Sequence, residues 1–286
     1  MLWSGDATPG PKALELARDA GVINVNGGNT DVNADNPSLS HISPIGRPER
    51  DLLYQIYAPI LNENVYTNLW HGPYYGFKRL VETFEITEKP YRLKPYTIYF
   101  HFYSGEVPAG LDALHYNIDY VLAKENTPVH LSQYARIAKD FYFSALAKNT
   151  RGEWLFSSKY IKTLRLPAIF DVPNMTNSQG ILGVTAQGNY IHVGDEIATI
   201  NFDHTTPDNQ PYLLSANVAF SNWQVNGPVS FKAWIEAKIE LKNARNCQFI
   251  SHMGKRFSGK TFGNTTQFTL PAGEFYGYLN CATRAQ

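Results

Sequence analysis

The run Pro95-Tyr-Thr-Ile-Tyr-Phe-His-Phe-Tyr-Ser-Gly105 constrains the fold more than any other stretch of this chain. Residues 97–102 are β-branched or aromatic except for His101, which predicts a strand buried on both faces, as in a parallel sheet. The run ends in a Ser-Gly turn, and a helical pattern begins near Pro108. His101 is therefore expected at the carboxyl end of a strand, where α/β proteins bind ligands. The alternative for His101 is a hydrogen-bonded histidine of the core.

The chain changes character near residue 148. Before it, helical spacing at 111–122 and a short apolar run at 127–131 continue an alternation of strand and helix that is typical of a parallel α/β fold. After it, short β-rich runs alternate with turn clusters, and the longest of them, Val229–Leu241, predicts one long strand. Such spacing predicts an antiparallel sandwich or jelly roll. We therefore predict an α/β domain over residues 1–148 and an all-β domain over residues 149–286.

A loop within the first domain is the strongest candidate for ligand binding. In Asn62–Gly76, carboxamides, aromatic side chains and glycines alternate, as expected where a loop must hydrogen-bond and stack on a polar ligand. Asp6, which follows the first apolar residues, is a further candidate. The alternative is a loop packed by its own aromatic rings. The candidate substrate-binding residues are Asn62, Asn64, Asn68, Trp70, Tyr74, Tyr75 and Asp6.

Composition excludes several classes of partner. Lys+Arg and Asp+Glu both number 25, so no overall basic character indicates binding to nucleic acid or to an anionic membrane. No window reaches the length and hydropathy of a transmembrane helix, and the first residues lack the pattern of a signal peptide. Cys247 and Cys281 form either a disulfide, if the protein is exported, or two buried thiols.

Local motifs for catalysis or metal binding are absent from the sequence. The histidines at 71, 101, 115 and 130 are spread through the first domain without metal-ligand spacing. No Gly-x-Ser-x-Gly motif, phosphate loop or dinucleotide fingerprint occurs, and Ser104 is interpreted as an ordinary turn serine. Glu63 could converge with Asp6 and Asp31 as a carboxylate pair, although solvated loop acids are the favoured interpretation.

Six stretches together resemble the PelA-like polysaccharide deacetylases, which act on the Pel exopolysaccharide of bacterial biofilms. The stretches are Leu2–Asp6, Asn24–Gly28, Asn62–Trp70, Gly72–Phe77, Glu82–Glu85 and Tyr99–Gly105. The resemblance implies that residues 1–148 are the carboxy-terminal portion of a distorted (β/α) barrel of the NodB, carbohydrate esterase four type. It also implies a following β-sandwich, for which carbohydrate binding is an expectation.

The resemblance implies a divalent metal, zinc or cobalt, held by one Asp and two His on strands that precede this chain. No residue of this chain is therefore assigned as a metal ligand, and no cofactor is expected within it. His101 matches a late-strand motif of the family and is expected to orient substrate or assist proton transfer. Gln133 stands where the family carries a candidate acidic residue, and an amide cannot donate a proton as an acid does.

By this resemblance the chain is expected to act on an N-acetylated amino-sugar exopolysaccharide in the periplasm or outside the cell. It is expected to be inactive without the upstream metal-binding half, which becomes its expected partner. One alternative is a non-catalytic glycan-binding protein. A second alternative is a structural partner in a polysaccharide export complex.

Overall fold

The computed structural model describes residues 8–25, 27–57, 63–92, 94–203 and 209–282. Within them the α-helices are α1 (Pro11–Asp19), α2 (Glu63–Tyr66), α3 (Leu80–Ile86), α4 (Pro108–Leu122) and α5 (Leu131–Asp140). The 3₁₀ helices are Leu39–His41, Arg50–Leu52, Tyr74–Arg79 and Phe102–Gly105. The chain forms two compact units, the first ending at Asn126 and the second beginning at Thr127.

Helices are the main regular secondary structure in the described part of the first unit. Its strands β1 (Gly46–Pro48) and β2 (Tyr54–Ile56) pair antiparallel, and a single parallel bridge joins Val25 to Ile56. These residues contain no ladder of parallel strands, so the partial (β/α) barrel stays a prediction. Helix α1 buries Leu14 and Ala17, which lie three residues apart on one face of the helix.

The predicted buried strand at residues 97–102 is wrong. The chain is extended there but enters no ladder among the described residues, and only Tyr99 forms an isolated bridge. Ile98 packs against the helical core, whereas Phe100 is 41% and Phe102 95% exposed. Residues 97, 98, 99 and 101 are half-buried and Phe100 and Phe102 are exposed, so neither face of the run is buried. A β-rich composition cannot form a sheet without a partner strand. The following helix does begin at Pro108, as predicted.

Helix α4 anchors the core of the first unit. Proline at its first position and a buried stripe of Gly110, Ala113, Leu114 and Asn117 give it one apolar side. Ala113 and Leu114 pack with buried side chains of α2, α3 and the Tyr74–Arg79 helix. Asn117, fully buried, donates a 2.9 Å hydrogen bond to the carbonyl oxygen of Phe77, which fixes α4 to that 3₁₀ helix.

Helix α5 belongs to the second unit, so the division falls earlier than the predicted boundary near residue 149. Asp140 at its carboxyl end accepts hydrogen bonds from the Ser158 hydroxyl and from the amides of Tyr160 and Ile161. Burial acts to raise the pKa of Asp140, but these hydrogen bonds outweigh it and hold the pKa below its usual value. The ionised carboxylate thus ties α5 to the β-rich chain that follows.

The second unit contains many strands in several sheets, which confirms the predicted β-rich fold. The strands are β3 (Ala145–Lys148), β4 (Trp154–Ser157), β5 (Thr163–Arg165), β6 (Ile181–Val184), β7 (Tyr190–Val193), β8 (Ile197–Ile200), β9 (Tyr212–Ala216), β10 (Ala219–Trp223), β11 (Gly227–Ala233), β12 (Ala237–Lys242), β13 (Arg245–Ser251), β14 (Arg256–Ser258), β15 (Lys260–Phe262), β16 (Thr265–Leu270) and β17 (Gly273–Ala282).

The strands form three sheets in the described residues of this unit. One has the order β3-β4-β8, a five-stranded sheet has the order β10-β11-β17-β13-β14, and a seven-stranded sheet has the order β15-β16-β12-β9-β6-β7-β5. The described pairs are antiparallel except for β6 with β9. Alternating burial along many of these strands fits antiparallel sheets, in which one face of a strand packs on a core and the other faces water.

The five-stranded and seven-stranded sheets pack face to face over one apolar core. Phe231 and Phe249 contribute from the first sheet, and Ile239 and Phe268 from the second. The predicted single strand Val229–Leu241 is therefore wrong: it is two strands, β11 and β12, in different sheets. The chain leaves the ladder after Ala233 and crosses to the opposite sheet, a break that uniform alternation does not reveal.

A disulfide joins Cys247 on β13 to Cys281 on β17, which are neighbours in the five-stranded sheet. The structure thereby decides between the two alternatives for these cysteines. Both residues are buried, at 1% and 4% exposure, so the bond is part of the sandwich core. No helix in the described residues is long and apolar enough to cross a membrane.

Candidate functional site

The candidate site of the first unit is organised by Glu63, the first residue of α2. Its side chain is 2% exposed. One carboxylate oxygen, Oε1, accepts hydrogen bonds from the His101 backbone amide at 2.6 Å, from His101 Nδ1 at 2.9 Å and from the Ser104 hydroxyl at 2.8 Å. The interpretation of Glu63 as a solvated loop acid is therefore wrong. The carboxylate is buried because three donors replace its water shell.

The hydrogen bond to Glu63 fixes the orientation and the tautomer of His101. An ionised carboxylate oxygen can only accept hydrogen bonds, so in the neutral imidazole Nδ1 carries the proton and Nε2 presents its lone pair. The side chain is 34% exposed, and no described residue hydrogen-bonds to Nε2. His101 is neither a core histidine nor a free surface one. Its polar edge is held by the protein, and its opposite nitrogen can meet a ligand.

Aromatic rings surround the His101 imidazole. Tyr103 stacks on it with ring centroids 5.0 Å apart and planes 10° apart, while Trp70 and Tyr99 meet it edge-on at 5.4 Å and 5.5 Å. Trp70 also contacts Tyr103 edge-on at 5.5 Å. Tyr99, His101 and Tyr103 are spaced two residues apart. Since side chains at this spacing share one face of an extended chain, the spacing is the sequence signal that could have grouped them.

Trp70 reaches this cluster through a turn in an uncommon backbone conformation. Asn68, Leu69 and Trp70 have φ angles of 48°, 53° and 65°, in the left-handed region. That region costs about 1–2 kcal/mol per residue for L-amino acids, and such geometry concentrates at functional sites. Local bonds hold the turn: the Trp70 amide donates to the Thr67 hydroxyl at 3.2 Å, and the Tyr74 hydroxyl donates to the Trp70 carbonyl at 2.8 Å.

The predicted ligand-binding loop is therefore partly packed by its own aromatics and partly open. Trp70 belongs to the site around His101, and Tyr74 supports it from behind. Asn64 is half-buried, whereas Asn68 and Tyr75 lie on the surface, with Tyr75 63% exposed. Asn62 and Asp6 lie outside the described residues.

Two polar atoms in this cluster are buried without a hydrogen-bond partner in the described residues: Oε2 of Glu63 and Nε1 of Trp70. Native proteins rarely leave such atoms unpaired. One is an acceptor and the other a donor, and both side chains contact His101. Among the described residues of this cluster, one acceptor and one donor next to the His101 imidazole therefore have no hydrogen-bond partner.

Ser104 is a site residue that the sequence does not reveal, because it appears there as an ordinary turn serine. It lies in the Phe102–Gly105 helix, is buried, and its hydroxyl is the third donor to Glu63. Gly110 of α4 lies directly behind it: a Cβ at this glycine would stand 2.6 Å from the Ser104 carbonyl oxygen. The close approach of α4 thus depends on glycine and positions Ser104.

The other predicted site residues lie elsewhere. Gln133 belongs to the second unit, where its Oε1 accepts a 2.9 Å hydrogen bond from the His130 backbone amide at the start of α5. This contact is a helix cap, and a catalytic role for Gln133 stays a prediction. Asp31 forms a 2.8 Å pair with Nδ1 of His41 instead.

Comparison with known proteins identifies no relative. No family model, no curated protein and no solved structure matches the chain. The resemblance to polysaccharide deacetylases thus depends on the sequence motifs alone.

The residues in hand do not fit the divalent metal that this resemblance implies. In the described part of the chain, no group of three or more His, Cys, Asp or Glu side chains lies close enough to hold a metal ion. His101 already uses Nδ1 to bind Glu63. We therefore assign no chemical step of this chain to a metal.

Proposed function

We propose that this chain is a portion of a polysaccharide deacetylase that acts on N-acetylated amino-sugar polymers, with His101 as its acid–base group. The observation that carries the proposal is the buried Glu63 carboxylate, which holds His101 by its Nδ1 and leaves Nε2 for a ligand. A glutamate that orients an imidazole in this way is the arrangement used where a histidine moves protons.

The chemistry of deacetylation gives His101 a defined task. Water adds to the acetamido carbonyl, the C–N bond breaks, and the products are acetate and a free amine. The amine nitrogen must gain a proton as it leaves. His101 can hold that proton on Nε2 and deliver it, while Nδ1–H stays hydrogen-bonded to Glu63. The ionised carboxylate stabilises the imidazolium at the moment when Nε2 is protonated.

The rings around His101 suit a sugar substrate. The apolar faces of pyranose rings stack on flat aromatic side chains, and hydroxyl and acetamido groups need hydrogen-bond partners. Tyr103 is 40% exposed beside the imidazole, and Tyr75 is 63% exposed on the same loop as Trp70. The disulfide between Cys247 and Cys281 supports an exported protein, because disulfides persist in oxidising compartments.

In this proposal residues 1–148 are the carboxy-terminal portion of a NodB-like barrel, and the family's metal ligands come from a polypeptide segment other than this chain. The expected partner of the chain is accordingly the polypeptide segment that carries one Asp and two His. The chain alone is expected to bind substrate without releasing acetate.

The test measures acetate release from an N-acetylated amino-sugar oligomer, with and without added zinc or cobalt. The chain is assayed alone and together with the upstream segment. We expect release only in the combined sample, and a loss of about 10²–10⁴-fold in His101→Ala. His71→Ala, at an exposed histidine, is the matched control. Full activity of His101→Ala in the combined sample would refute the assigned role.

A non-catalytic glycan-binding protein is the second candidate, and the exposed rings of Tyr75 and Tyr103, which can stack on sugars without any catalytic group, support it. It predicts that the oligomer quenches or shifts Trp70 fluorescence while no acetate appears in any combination. Acetate release in the combined sample therefore distinguishes the two candidates, because both require binding and only the deacetylase requires turnover.

A further inference from the structure

The outer face of the five-stranded sheet carries exposed aromatic residues that the His101 site does not use. On β17, Phe275 and Leu279 point into the sandwich core, whereas Tyr276 and Tyr278 point outward and are 52% and 48% exposed. Side chains two residues apart on one strand share a face and stand roughly 7 Å apart. β17 is the central strand of its sheet, so both rings lie in the middle of this face.

Both tyrosines are held in place by neighbouring residues. The Tyr278 hydroxyl donates to the carbonyl oxygen of Asn226, which fixes the ring at its far end. The amide of His252 donates to the Tyr276 carbonyl at 2.9 Å, and the His252 ring meets the Tyr276 ring at 6.2 Å. Rings that are already ordered lose little conformational entropy when a ligand stacks on them.

Polar side chains flank the two rings in register. Asn280 of β17 lies opposite Gln248 of β13, and both face outward beside Tyr278. Arg256 of β14 pairs with Ile250, which in turn lies opposite Tyr278. Two amides thus lie near Tyr278, and the Arg256 guanidinium lies two strands from it, beyond Ile250, at roughly 5 Å per strand.

The outer face carries an excess of positive charge although the whole chain has 25 basic and 25 acidic residues. Glu274, the acidic residue of β17, is neutralised by Lys232 at 3.1 Å. Arg256 and Arg245, which is exposed at the start of β13, form no ion pair with any residue in the described part of the chain. Two guanidinium groups are therefore left for an outside anion.

We propose that this outer face binds an acidic polysaccharide. Tyr276 and Tyr278 would stack on sugar rings, and Arg256 and Arg245 would pair with carboxylates of uronic acid units. Arginine recognises carboxylates bidentately, and aromatic faces accept the apolar side of a sugar. A polymer of free amino sugars is cationic and would be repelled by the same guanidinium groups. The site is separate in residues and in unit from the deacetylase proposal and does not depend on it.

The test is affinity electrophoresis of the whole chain in native gels that contain polygalacturonate, with dextran as the neutral polymer. We expect retardation by polygalacturonate only. Tyr276→Ala and Arg256→Gln should each weaken it about five- to tenfold, equivalent to about 1 kcal/mol. Tyr276→Phe should bind normally because it keeps the ring. Lys238→Gln, which removes one positive charge from the other sheet, is the matched charge control.

Three results would overturn the proposal. The first is no retardation by polygalacturonate, and the second is equal retardation by dextran, which would remove the role of charge. The third is a loss with Arg256→Gln but not with Tyr276→Ala, together with equal binding of a single-stranded oligonucleotide, which would indicate general polyanion binding. His101→Ala should leave polygalacturonate binding unchanged, so failure here and failure of the deacetylase proposal are distinguishable.

Discussion

Removing the Glu63 side chain tests whether this residue builds the site around His101. In Glu63→Ala, three donors lose their common acceptor: the His101 amide, His101 Nδ1 and the Ser104 hydroxyl. Nδ1 belongs to a side chain that is 34% exposed and can turn toward water. The amide and the buried hydroxyl cannot do so without local opening of the chain.

The magnitude follows from these two donors. A buried donor without an acceptor costs about 1–3 kcal/mol, so Glu63→Ala should destabilise the first unit by about 2–6 kcal/mol. Glu63→Gln keeps an acceptor oxygen for the same three donors but replaces charge-assisted hydrogen bonds by neutral ones. It should cost less, about 1–3 kcal/mol. Glu85→Ala, at an exposed carboxylate of α3, should change stability by less than about 0.5 kcal/mol.

Two measurements check this ordering. Native-state hydrogen exchange reports the protection of the His101 amide, which should fall most in Glu63→Ala and least in Glu85→Ala. Nitrogen-15 shifts of the His101 ring report its tautomer, which should change from Nδ1–H to a mixture once the carboxylate is gone. If Glu63→Ala and Glu85→Ala behave alike in both measurements, Glu63 does not position His101 and the argument for acid–base chemistry fails.

Three further perturbations address the scaffold. Joint replacement of Cys247 and Cys281 by alanine should lower the free energy of unfolding of the second unit by about 3–4 kcal/mol, because the bond closes a loop of 34 residues. Urea titration measures this loss, and reducing the disulfide of the unchanged chain should produce the same loss. Because folding lowers the pKa of Asp140, its ionised carboxylate stabilises the fold above the unfolded pKa near 4, and this stabilisation is lost as pH falls through the folded pKa. In thermal unfolding between pH 7 and 2, the melting temperature of Asp140→Asn should therefore fall less with acid than that of the unchanged chain. Gly110→Ala would place a Cβ 2.6 Å from a backbone oxygen and should cost about 1–3 kcal/mol in thermal unfolding, whereas Gly105→Ala, with nothing within 4 Å, should cost little in comparison.

The sandwich was more predictable than the first unit for a physical reason. Many of its strands alternate buried and exposed residues, and local sequence shows that alternation, so the sequence predicts short β-rich runs after residue 148, where the structure has many short strands. The same reasoning failed at residues 97–102, where a β-rich run lies extended beside helices. Composition indicates an extended backbone, but pairing depends on a neighbouring strand that local sequence does not specify.

The candidate site shows the same limit. The sequence singled out His101 and Trp70, and the structure brings their rings into contact. It gave no reason to join Glu63 to His101, because 38 residues separate them and no spacing rule connects them. Long-range pairs of this kind are set by how α2 and the extended run pack, a tertiary property. Ser104 was missed for the same reason.

The energetics of the first unit indicate that the site is not a by-product of folding. Burying a carboxylate and pairing it with donors gains little stability over an apolar side chain of similar volume. The turn at residues 68–70 adds about 1–2 kcal/mol of unfavourable backbone energy per residue. Both costs fall on elements that contact His101, and the rest of the helical core has ordinary packing of Phe77, Leu80 and Phe84. A strained turn and a buried carboxylate thus both contact one partly exposed imidazole. This combination is typical of a functional site that holds a histidine in one orientation. Glu63→Gln, which keeps an acceptor oxygen for the same three donors, should therefore lose the function of His101 before it loses the fold.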